Sequence, residues 1–516
     1  MKTDTNNSIQ PTDQQEIIQQ LTEENQYLKE RINLLLTQLY GKKSEKQSVF
    51  PVPDQMSFFD DSAKESADET VIEKIVVPAH TRKKAGRKPL PEELPRVEVI
   101  HDIEEDQKQC ACGSKLIRIG EEVSEQLNYI PARLEVIRHI RPKYACKTCE
   151  GIETEGSIVK IAPVPKQIIE KSIASAGLLA HIITAKFVDA LPFYRQEKQF
   201  ARLGYEISRS NMTNWTIQLG QILENLAGLL KADILSGPLI QMDETTLQVL
   251  KETGRSPTTK SYMWVMRGGT PEKPLVYFHY SPTRSSNVAR NLLGSYQGVV
   301  QTDGYTGYDY LDHSPGIEHA GCWAHARRKF MEVLKAKGKY DRKKAKTGYT
   351  QQAVDFIGQL YSIERQADEE QLSFEQRVTF RLKKAKPVLE QFHQWLRQME
   401  QKTPPKGLLG KAVGYTLKRW NQLTLYVNYG FVPLDTNLAE NAIRPFVLGR
   451  KNWLFSDTVA GAKASAVLYS LIETARANGL NPFEYLKQLF EKSPFAETDD
   501  QIKLLLPQYH DATPSS

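Results

Sequence analysis

The sequence predicts a multidomain α+β protein. Its 516 residues exceed what one compact domain usually holds, which is on the order of 100–200 residues. The residue pattern changes along the chain, from a heptad repeat, through a charged stretch and a segment with paired cysteines, to helical patterns. From residue 238 three strand patterns, a helix and a further strand pattern follow one another. These observations predict small helical and cysteine-containing units that precede a larger domain with a sheet.

The composition is that of an ordinary soluble protein, with 40% hydrophobic and 25% charged residues. No run of about 18 apolar residues is present, so no transmembrane helix is expected. The polar N-terminus lacks the apolar centre of a secretory signal, and the cytoplasm is the expected compartment. The net charge of +6 is weak evidence for nucleic acid, but basic residues are clustered. The clusters lie at 82–84, 87–88, 327–329, 343–346 and 450–451.

Residues 1–42 contain a heptad repeat. One heptad position holds Ile18, Asn25, Ile32 and Leu39, and the other holds Leu21, Leu28 and Leu35. β-Branched residues at the first position with Leu at the second favour a parallel two-stranded coiled coil, and a lone Asn favours a fixed register. We therefore expect self-association into a homodimer or higher oligomer. The alternative is an amphipathic helix that packs on its own chain.

Residues 43–95 have the composition of a flexible basic linker, rich in Lys, Glu, Asp, Ser and Pro. Arg87 and Lys88 end a short basic run within it. Such a run is typical of an arm that enters the minor groove of DNA. A solubilising tail is the alternative interpretation.

Residues 96–155 contain two close cysteine pairs, Cys110 with Cys112 and Cys146 with Cys149. Between them, the alternating run at 134–140 predicts hairpin strands. Paired cysteines on tight turns can present four thiolates to Zn²⁺, so the segment predicts a zinc ribbon with a structural metal. The CxC spacing of the first pair is shorter than the usual CxxC, and His101 is a substitute ligand. Four unrelated buried thiols are the alternative.

Residues 156–232 are predicted to be helical and to include a helix-turn-helix. A helix from Phe193 to Leu203 is followed by Gly204 and by a second helix that Ser208 caps and that runs through Leu226. Arg209, Asn211 and Asn214 lie at the start of that helix, where a recognition helix meets DNA. Such helix pairs also occur in proteins that never bind DNA.

The region 233–330 has the strand order of an RNase H-like core. Strand patterns at 238–249, 262–267 and 275–280 precede a helix at 286–293 and a strand that begins at Gly298. In that order the first and fourth strands are neighbours, so Asp243 and Asp303 are expected side by side. Carboxylates this close repel each other, and Mg²⁺ or Mn²⁺ would relieve the repulsion. A turn or cap role is the alternative for either aspartate.

A third carboxylate is expected from Glu440, because a pair of cations in phosphoryl transfer needs a further ligand. Glu440 and Arg444 lie four residues apart on one predicted helix face, where Arg444 can steady the carboxylate or contact a phosphate. Asn437 and Glu440 also fit a capping box, in which Glu440 would only bind backbone N–H groups.

Five stretches closely resemble the insertion sequence 66 family of DDE transposases. They are QMDET at 241–245, QTDGYTGY at 301–308, CWAHARRKF at 322–330, DTNLAENAIRP at 435–445 and LYSLIETARANGLNP at 468–482. The similarity extends from the heptad repeat to about residue 490 in the domain order of the family. Thr436 is a small departure, because relatives often carry Asn there.

The resemblance implies that Asp243, Asp303 and Glu440 are the DDE residues and hold Mg²⁺ or Mn²⁺. It also implies a zinc-binding region at 96–155 and a helical insertion between Asp303 and Glu440. The implied activity is metal-dependent cleavage and strand transfer at the terminal repeats of an element. The implied partners are DNA and, in some members, small accessory proteins.

The insertion is expected at 331–428, with breaks at Pro387 and at Pro404–Pro405, and the second part of the core at 429–490 before a C-terminal tail at 491–516. Cys322 is expected to be buried. The residues expected to contact phosphates are Arg327, Arg328, Lys329, Arg450 and Lys451. Trp453 is expected to stack on DNA ends. His325 is an auxiliary candidate, for proton transfer or DNA contact, with a structural role as the alternative.

Three other functions share parts of this pattern. A DNA-binding regulator or an inactive transposase copy needs only the N-terminal half. A metal-dependent nuclease needs the carboxylates but joins no DNA. A zinc-dependent adaptor leaves the strand order of the core unexplained.

Overall fold

The computed structural model describes residues 134–145, 159–336 and 348–510, with residues 96 and 98 and single positions between 21 and 35. The chain separates into two units, one of residues 1–63 and 141–512 and the other of residues 64–140 and 513–516. The four paired cysteines, His101, Arg87 and Lys88 lie outside the described residues. Among the described residues, no helix is long and apolar enough to cross a membrane.

The described positions of the heptad repeat are helical. Leu21, Leu28, Ile32 and Leu35 are exposed in the single chain. A helix is therefore confirmed at these positions, while self-association stays a prediction.

The hairpin strands predicted at 134–140 are wrong, because these residues belong to no strand. Val136 and Ile140 are 93% and 74% exposed. An alternating pattern forms a strand only when a neighbour accepts its backbone hydrogen bonds and a layer covers its apolar face. The described residues of this unit provide neither.

Within residues 159–238, four helices precede the main sheet: α1 (Ala176–Phe187), α2 (Phe193–Arg202), α3 (Arg209–Ile222) and α4 (Glu224–Leu235). The turn between α2 and α3 passes through Gly204, whose φ of +93° suits glycine. As predicted, the Ser208 hydroxyl caps α3 by accepting a hydrogen bond from the backbone N–H of Asn211. The predicted continuation through Leu226 is wrong, since Leu223 interrupts the helix and the next one begins at Glu224.

The main sheet contains six strands, and a separate antiparallel pair precedes it. The pair is β1 (Lys143–Ala145) with β2 (Val159–Ile161). The sheet strands are β3 (Leu239–Lys251), β4 (Lys260–Gly269), β5 (Pro274–Ser281), β6 (Gly298–Gln301), β7 (Ile317–Ala320) and β8 (Ser456–Thr458). Their order is β5-β4-β3-β6-β7, and β8 pairs with the far end of β3. As predicted, β6 lies beside β3 and is parallel to it, after the connecting helix α5 (Ser286–Leu293).

The insertion is helical, with α6 (Trp323–Ala336), α7 (Tyr349–Glu369), α8 (Phe374–Lys402), α9 (Leu408–Lys418) and α10 (Trp420–Thr424). The break at Pro404–Pro405 is confirmed between α8 and α9. The break at Pro387 is wrong, because α8 continues through it. A proline removes one backbone donor, and the packing of Leu389, Phe392 and Leu396 in the buried face of α8 holds the helix together.

After the insertion come α11 (Asn437–Trp453), α12 (Val459–Ala477), α13 (Pro482–Lys492) and α14 (Asp499–Lys503). Short 3-10 helices lie at Thr306–His313, Leu425–Asn428, Ser493–Phe495 and Pro507–Tyr509. The described part of the chain is therefore mixed α/β, and α1–α4, α12 and α13 pack with the sheet in one core.

Two hydrophobic cores meet at strand β6. Val300 belongs to the core that α12 and the N-terminal helices form on one side of the sheet, and Val299 belongs to the core of the insertion. Successive side chains of a strand point to opposite faces, so this short strand is buried on both sides and anchors the insertion to the sheet.

Strand β5 is at the edge of the sheet, and helix α12 satisfies its outer backbone groups. The N–H of Phe278 donates to the Ser470 hydroxyl (2.8 Å), and the N–H of Val276 donates to the Thr474 hydroxyl (3.0 Å). The Thr474 hydroxyl in turn donates to the carbonyl of Val276 (3.0 Å). The helix thus closes an edge that would otherwise be open to another strand.

Arg381 should be a large contributor to the stability of the insertion. It is 1% exposed, forms a bidentate ion pair with Glu364 and donates to the carbonyls of Tyr426 and Tyr429. Arg381→Met would leave the two carbonyls without this donor and would leave Arg377 (3.2 Å) as the remaining ion-pair partner of Glu364. We therefore expect a loss of about 3 kcal/mol in the free energy of unfolding. Urea unfolding followed by tryptophan fluorescence measures it.

The control is Arg397→Met, because Arg397 and Glu400 form a pair with side chains 60% and 49% exposed. Its expected cost is about 0–1 kcal/mol. Equal destabilisation by the two substitutions would contradict the assigned role of Arg381.

Glu473 on α12 should make stability depend on pH. Burial raises the pKa of its carboxyl to about 7 from 4.5, against the opposing effect of Arg476. The folded protein binds this proton more tightly than the unfolded chain, so stability falls as pH rises from about 4.5 to 7 and is then constant. Glu473→Gln removes this loss, and we expect a gain of about 1–3 kcal/mol at pH 8 that vanishes near pH 4.5.

Thermal melting of both proteins at pH 5, 6.5 and 8 checks this, with the exposed Glu491→Gln as control. A gain from Glu473→Gln that is the same at all three pH values would argue against the titration.

Candidate active site

The register of the sheet brings Asp243 and Asp303 together. In the parallel pair of β3 with β6, Gln241 lies opposite Gln301. Asp243 and Asp303 each follow two residues later, and residues i and i+2 of a strand share a face. Asp243 is still within β3, whereas Asp303 comes just after the end of β6. The two carboxylates therefore lie at the same end of the β3–β6 strand pair.

Asp243 lies in a half-buried and strongly acidic environment. Burial is the main cause that raises the pKa of its carboxyl well above the ordinary value, and the charges of Glu244, Asp303 and Glu440 raise it further. A hydrogen bond from the backbone N–H of Glu244 (2.8 Å) opposes this effect. Asp303 and Glu440 are therefore both close enough to act electrostatically on Asp243.

Glu440 is in the first turn of α11. Its Oε1 is 3.7 Å from Nδ1 of His325, and its Oε2 is 3.6 Å from Nη2 of Arg328. The atoms Glu440 Oε1 and His325 Nδ1 are buried and accept or donate no hydrogen bond. The capping-box interpretation is wrong, because the N-cap residue is Thr436 and not Asn437, and the Thr436 side chain makes no capping hydrogen bond.

The segment that leads into α11 is fixed by buried contacts. The Asp435 carboxylate accepts hydrogen bonds from the Tyr361 hydroxyl (2.7 Å) and the backbone N–H of Asn437 (3.0 Å). Burial raises the pKa of Asp435 despite these bonds. The sulfur of Cys322 accepts from the N–H and hydroxyl of Thr436, both at 3.3 Å. Cys322 is buried, as predicted, and burial raises the pKa of its thiol to about 12.

The loop after Asp303 is tied back to strand β3 through Glu244. The carboxylate of Glu244 forms an ion pair with Arg284 and accepts a hydrogen bond from the Tyr308 hydroxyl. The Arg284 guanidinium lies 3.6 Å from the centroid of the Tyr305 ring. The N–H of Tyr305 donates to Asp303 Oδ1 (2.9 Å). Glu244 thereby helps to fix the second aspartate.

The insertion reaches the same loop from the other side. The hydroxyl of Tyr415 on α9 is so close to Gly304 that a Cβ there would meet it at 2.1 Å. Arg419 donates to the carbonyl of Gly304 (3.1 Å) and pairs with Asp309 (2.6 Å). Only glycine fits at position 304 because of this close approach.

The predicted basic residues differ in their surroundings. Arg328 lies against Glu440, while Lys329 is exposed at 5.9 Å from the ring centroid of Tyr415. Arg450 donates to the hydroxyls of Thr245 and Thr246 on β3, both at 3.1 Å. Two further residues predicted to contact DNA, Arg327 and Arg444, are half-buried. The remaining ones are exposed: Lys451, Arg209, Asn211 and Asn214.

Trp453 is partly buried and packs edge-to-face on Phe446, with ring centroids 5.6 Å apart. The ammonium of Lys186 is 5.7 Å from the Trp453 ring, and burial lowers the pKa of Lys186 to about 8. Stacking of Trp453 on DNA stays a prediction.

Carboxylate oxygens suit Mg²⁺ or Mn²⁺. The donor set of Asp243, Asp303 and Glu440 fits such a cation, since the three acids are half-buried, repel one another, and include a buried oxygen of Glu440 without a hydrogen bond. Across the described residues, no three His, Cys, Asp or Glu side chains lie close enough together to coordinate a metal ion as they stand. The carboxylates are thus neighbours that a cation would have to draw together.

Several residues around the carboxylates were not assigned from the sequence. They are Glu244, Arg284, Tyr308, Tyr361, Tyr415 and Asp435, together with the buried pair Gln241 and Gln301. The signal for the last pair was present, because both aspartates stand in a Gln-x-Asp triplet, at 241–243 and 301–303. The others depend on contacts between distant parts of the chain.

Models of known protein families match most of the chain. A model described as "Transposase IS66 family" matches residues 171–464, more than half of the chain. Others match residues 107–150 ("zinc-finger binding domain of transposase IS66"), 27–99 ("Transposase C of IS166 homeodomain") and 470–508 ("IS66 C-terminal element"). The zinc-finger match includes all four paired cysteines.

Similar proteins occur in Sinorhizobium fredii (strain NBRC 101917 / NGR234). The uncharacterized protein y4jD is 35% identical over 431 residues, which cover 81% of each chain. The uncharacterized protein y4qI is 30% identical over 491 residues, which cover 91% of this chain and 86% of the relative. Together with the family matches, this similarity shows that the chain is a member of the IS66 family of transposases, with DNA-binding elements before its α/β domain.

Proposed function

We propose that this transposase cleaves DNA at the terminal inverted repeats of its element and joins the released ends to target DNA, using Asp243, Asp303 and Glu440. The observation that carries the proposal is the meeting of three separate elements at Asp243. Strand β3, the end of β6 and helix α11 each contribute one carboxylate, and the charges of the other two act on Asp243. Burial of mutually repelling acids is costly for stability and is typical of a functional site.

The proposed fold of this domain is RNase H-like. Three antiparallel strands, a helix and a fourth strand parallel to the first support the assignment. In this arrangement Asp243 lies on the central strand pair and Asp303 directly follows it, while Glu440 comes from helix α11.

Asp243, Asp303 and Glu440 would hold divalent cations, Mg²⁺ or Mn²⁺. When bound, a pair of such ions activates the attacking oxygen and stabilises the leaving oxygen in phosphoryl transfer. Arg328 is near enough to orient Glu440 and to meet a DNA phosphate. His325, next to Glu440 Oε1, is the auxiliary residue for proton transfer.

Two successive displacements at phosphorus account for the reaction. A water oxygen first bonds to the phosphorus at the end of the element, the bond to the 3′ oxygen breaks, and this oxygen takes a proton to become a free hydroxyl. The oxygen of that hydroxyl then bonds to the phosphorus of a target phosphodiester and gives up its proton, while the bond to the target 3′ oxygen breaks and this oxygen takes up a proton. No covalent bond between protein and DNA is needed.

DNA recognition is proposed for the N-terminal half. Helix α3 presents Arg209, Asn211 and Asn214 on an exposed surface, as a recognition helix requires. Cys110, Cys112, Cys146 and Cys149 would hold a structural Zn²⁺, which the zinc-finger match supports. Arg87 and Lys88 would contact the minor groove. The exposed apolar residues of the N-terminal helix support a coiled-coil dimer.

The proposal is tested with the purified full chain and labelled duplexes that carry the terminal repeats of its element. The reactions contain Mn²⁺, Mg²⁺ or EDTA, with and without the small accessory proteins encoded by the element. Metal-dependent nicks at the ends and joined products are expected. Tight binding without either product under every condition would instead indicate a DNA-binding regulator or an inactive copy.

Asp243→Asn, Asp303→Asn and Glu440→Gln should each lower the rate of end cleavage, on the order of 10³-fold or more, because each removes one of the cooperating carboxylates. DNA binding should persist, since the proposed recognition residues are elsewhere. Denaturing gels measure cleavage, and a mobility shift in EDTA measures binding.

The matched control is Asp457→Asn. Asp457 pairs with Lys251 on the surface, with side chains 52% and 71% exposed. We expect cleavage at the wild-type rate. If any of the three active-site variants cut the ends normally, that residue would be excluded from the catalytic set.

A further inference from the structure

Two buried glutamines lie directly beside the candidate catalytic carboxylates. Gln241 and Gln301 are 1% and 0% exposed. They are register partners on β3 and β6, and each precedes its aspartate by two residues. Because residues i and i+2 of a strand share a face, Gln241 is the same-face neighbour of Asp243, and Gln301 precedes Asp303 by the same spacing.

The two side-chain amides bind each other and then the backbone around them. The amide nitrogen of Gln241 donates to Oε1 of Gln301 (2.7 Å) and to the carbonyl of Asp435 (3.1 Å). The amide nitrogen of Gln301 donates to the carbonyls of Pro433 (2.8 Å) and Gly321 (3.1 Å). All four N–H donors of the pair therefore have a carbonyl acceptor.

These bonds connect every element that carries a catalytic carboxylate. Gln241 belongs to the strand of Asp243, and Gln301 belongs to the strand that ends before Asp303. The carbonyls of Pro433 and Asp435 belong to the segment that enters α11, where Glu440 lies one turn later. The carbonyl of Gly321 precedes α6, which carries His325 and Arg328.

The chemistry of this network requires an amide. Its acceptors are all carbonyl oxygens, so a carboxylate of the same shape would bring like partial charges together. An apolar side chain would leave buried carbonyls without donors, which is unfavourable. Gln241 Oε1 is itself buried and lacks a hydrogen bond. The position therefore keeps glutamine for its donors, even though its oxygen is left unsatisfied.

We propose that the Gln241–Gln301 pair positions the active site by fixing the spacing of Asp243, Asp303 and Glu440. This inference rests on the proposed function of the three carboxylates. The glutamines touch neither DNA nor a cation in this role. They act through the two strands and the start of α11, in the way that partners behind a metal ligand set its orientation.

The test compares Gln241→Met, Gln301→Met and the double variant with Gln196→Met in the full chain. Gln196 is a matched control, because it is 0% exposed and its amide donates to two backbone carbonyls, those of Ile182 (3.2 Å) and Leu191 (3.0 Å). Three quantities are measured: Mn²⁺ binding without DNA by electron paramagnetic resonance, end cleavage in a single turnover, and the thermal midpoint. Gln241→Asn and Gln301→Asn, which keep the amide but shorten its reach, replace any Met variant that does not fold.

We expect each active-site substitution to weaken Mn²⁺ binding by about 10–100-fold and to slow cleavage by about 100-fold. The double variant should lose no more than the stronger single variant, because the two amides act as one unit. Gln196→Met should lower the thermal midpoint while Mn²⁺ binding and cleavage by the folded protein remain at wild-type values.

Wild-type Mn²⁺ binding and cleavage in the folded Gln241 and Gln301 variants would overturn the proposal. Equal losses in Gln196→Met would also overturn it, by tracing the effect to general instability. If the wild-type protein itself neither bound Mn²⁺ nor cut DNA, the proposed function would fail first, and the positioning role with it.

Discussion

The repulsion among acidic groups at Asp243 is the constraint around which this domain is built. Three carboxylates raise the pKa of a fourth, Asp243, that is already partly removed from water, and such an arrangement disfavours folding. Cationic side chains partly neutralise two of these carboxylates, since Arg284 pairs with Glu244 and Arg328 approaches Glu440. The charges that act on Asp243 itself are all acidic. A divalent cation would neutralise the negative charge that remains. Relief of this repulsion would then contribute to the free energy of cation binding.

Holding such a site requires a rigid frame, and hydrogen bonds supply much of it. The outer edge of β5 is satisfied by Ser470 and Thr474 rather than by another strand. Cys322 and Asp435 fix the chain before α11 through backbone and hydroxyl donors. Each of these groups is buried, where an unmade bond costs about 1–3 kcal/mol. Several independent sets of buried hydrogen bonds therefore limit the movement of the segments that carry the carboxylates.

The sequence predicted the parts of this frame that are local. Strand patterns, the Ser208 cap, the break at Pro404–Pro405 and the burial of Cys322 each depend on near neighbours or on residue type. Errors occurred where tertiary contacts decide: α8 passes through Pro387, Leu223 splits a predicted helix, and residues 134–140 form no strand. Gln241 and Gln301 stand within two of the family motifs, but the local sequence predicts no role for them. Its meaning depends on the carbonyls of Pro433 and Asp435, far away in the sequence.

The insertion between Asp303 and Glu440 is part of the site and not an appendage. Its helix α7 supplies Tyr361 to Asp435, just before the helix of Glu440. Its other end supplies Arg419 to the carbonyl of Gly304, just after Asp303. The Trp323 indole N–H, at the exit from the sheet, donates to the carbonyl of Leu423, where the insertion returns (2.7 Å). Both carboxylate-bearing segments are therefore held by the same helical unit. The insertion therefore connects the segments of Asp303 and Glu440 through hydrogen bonds, although it separates the two residues in the sequence.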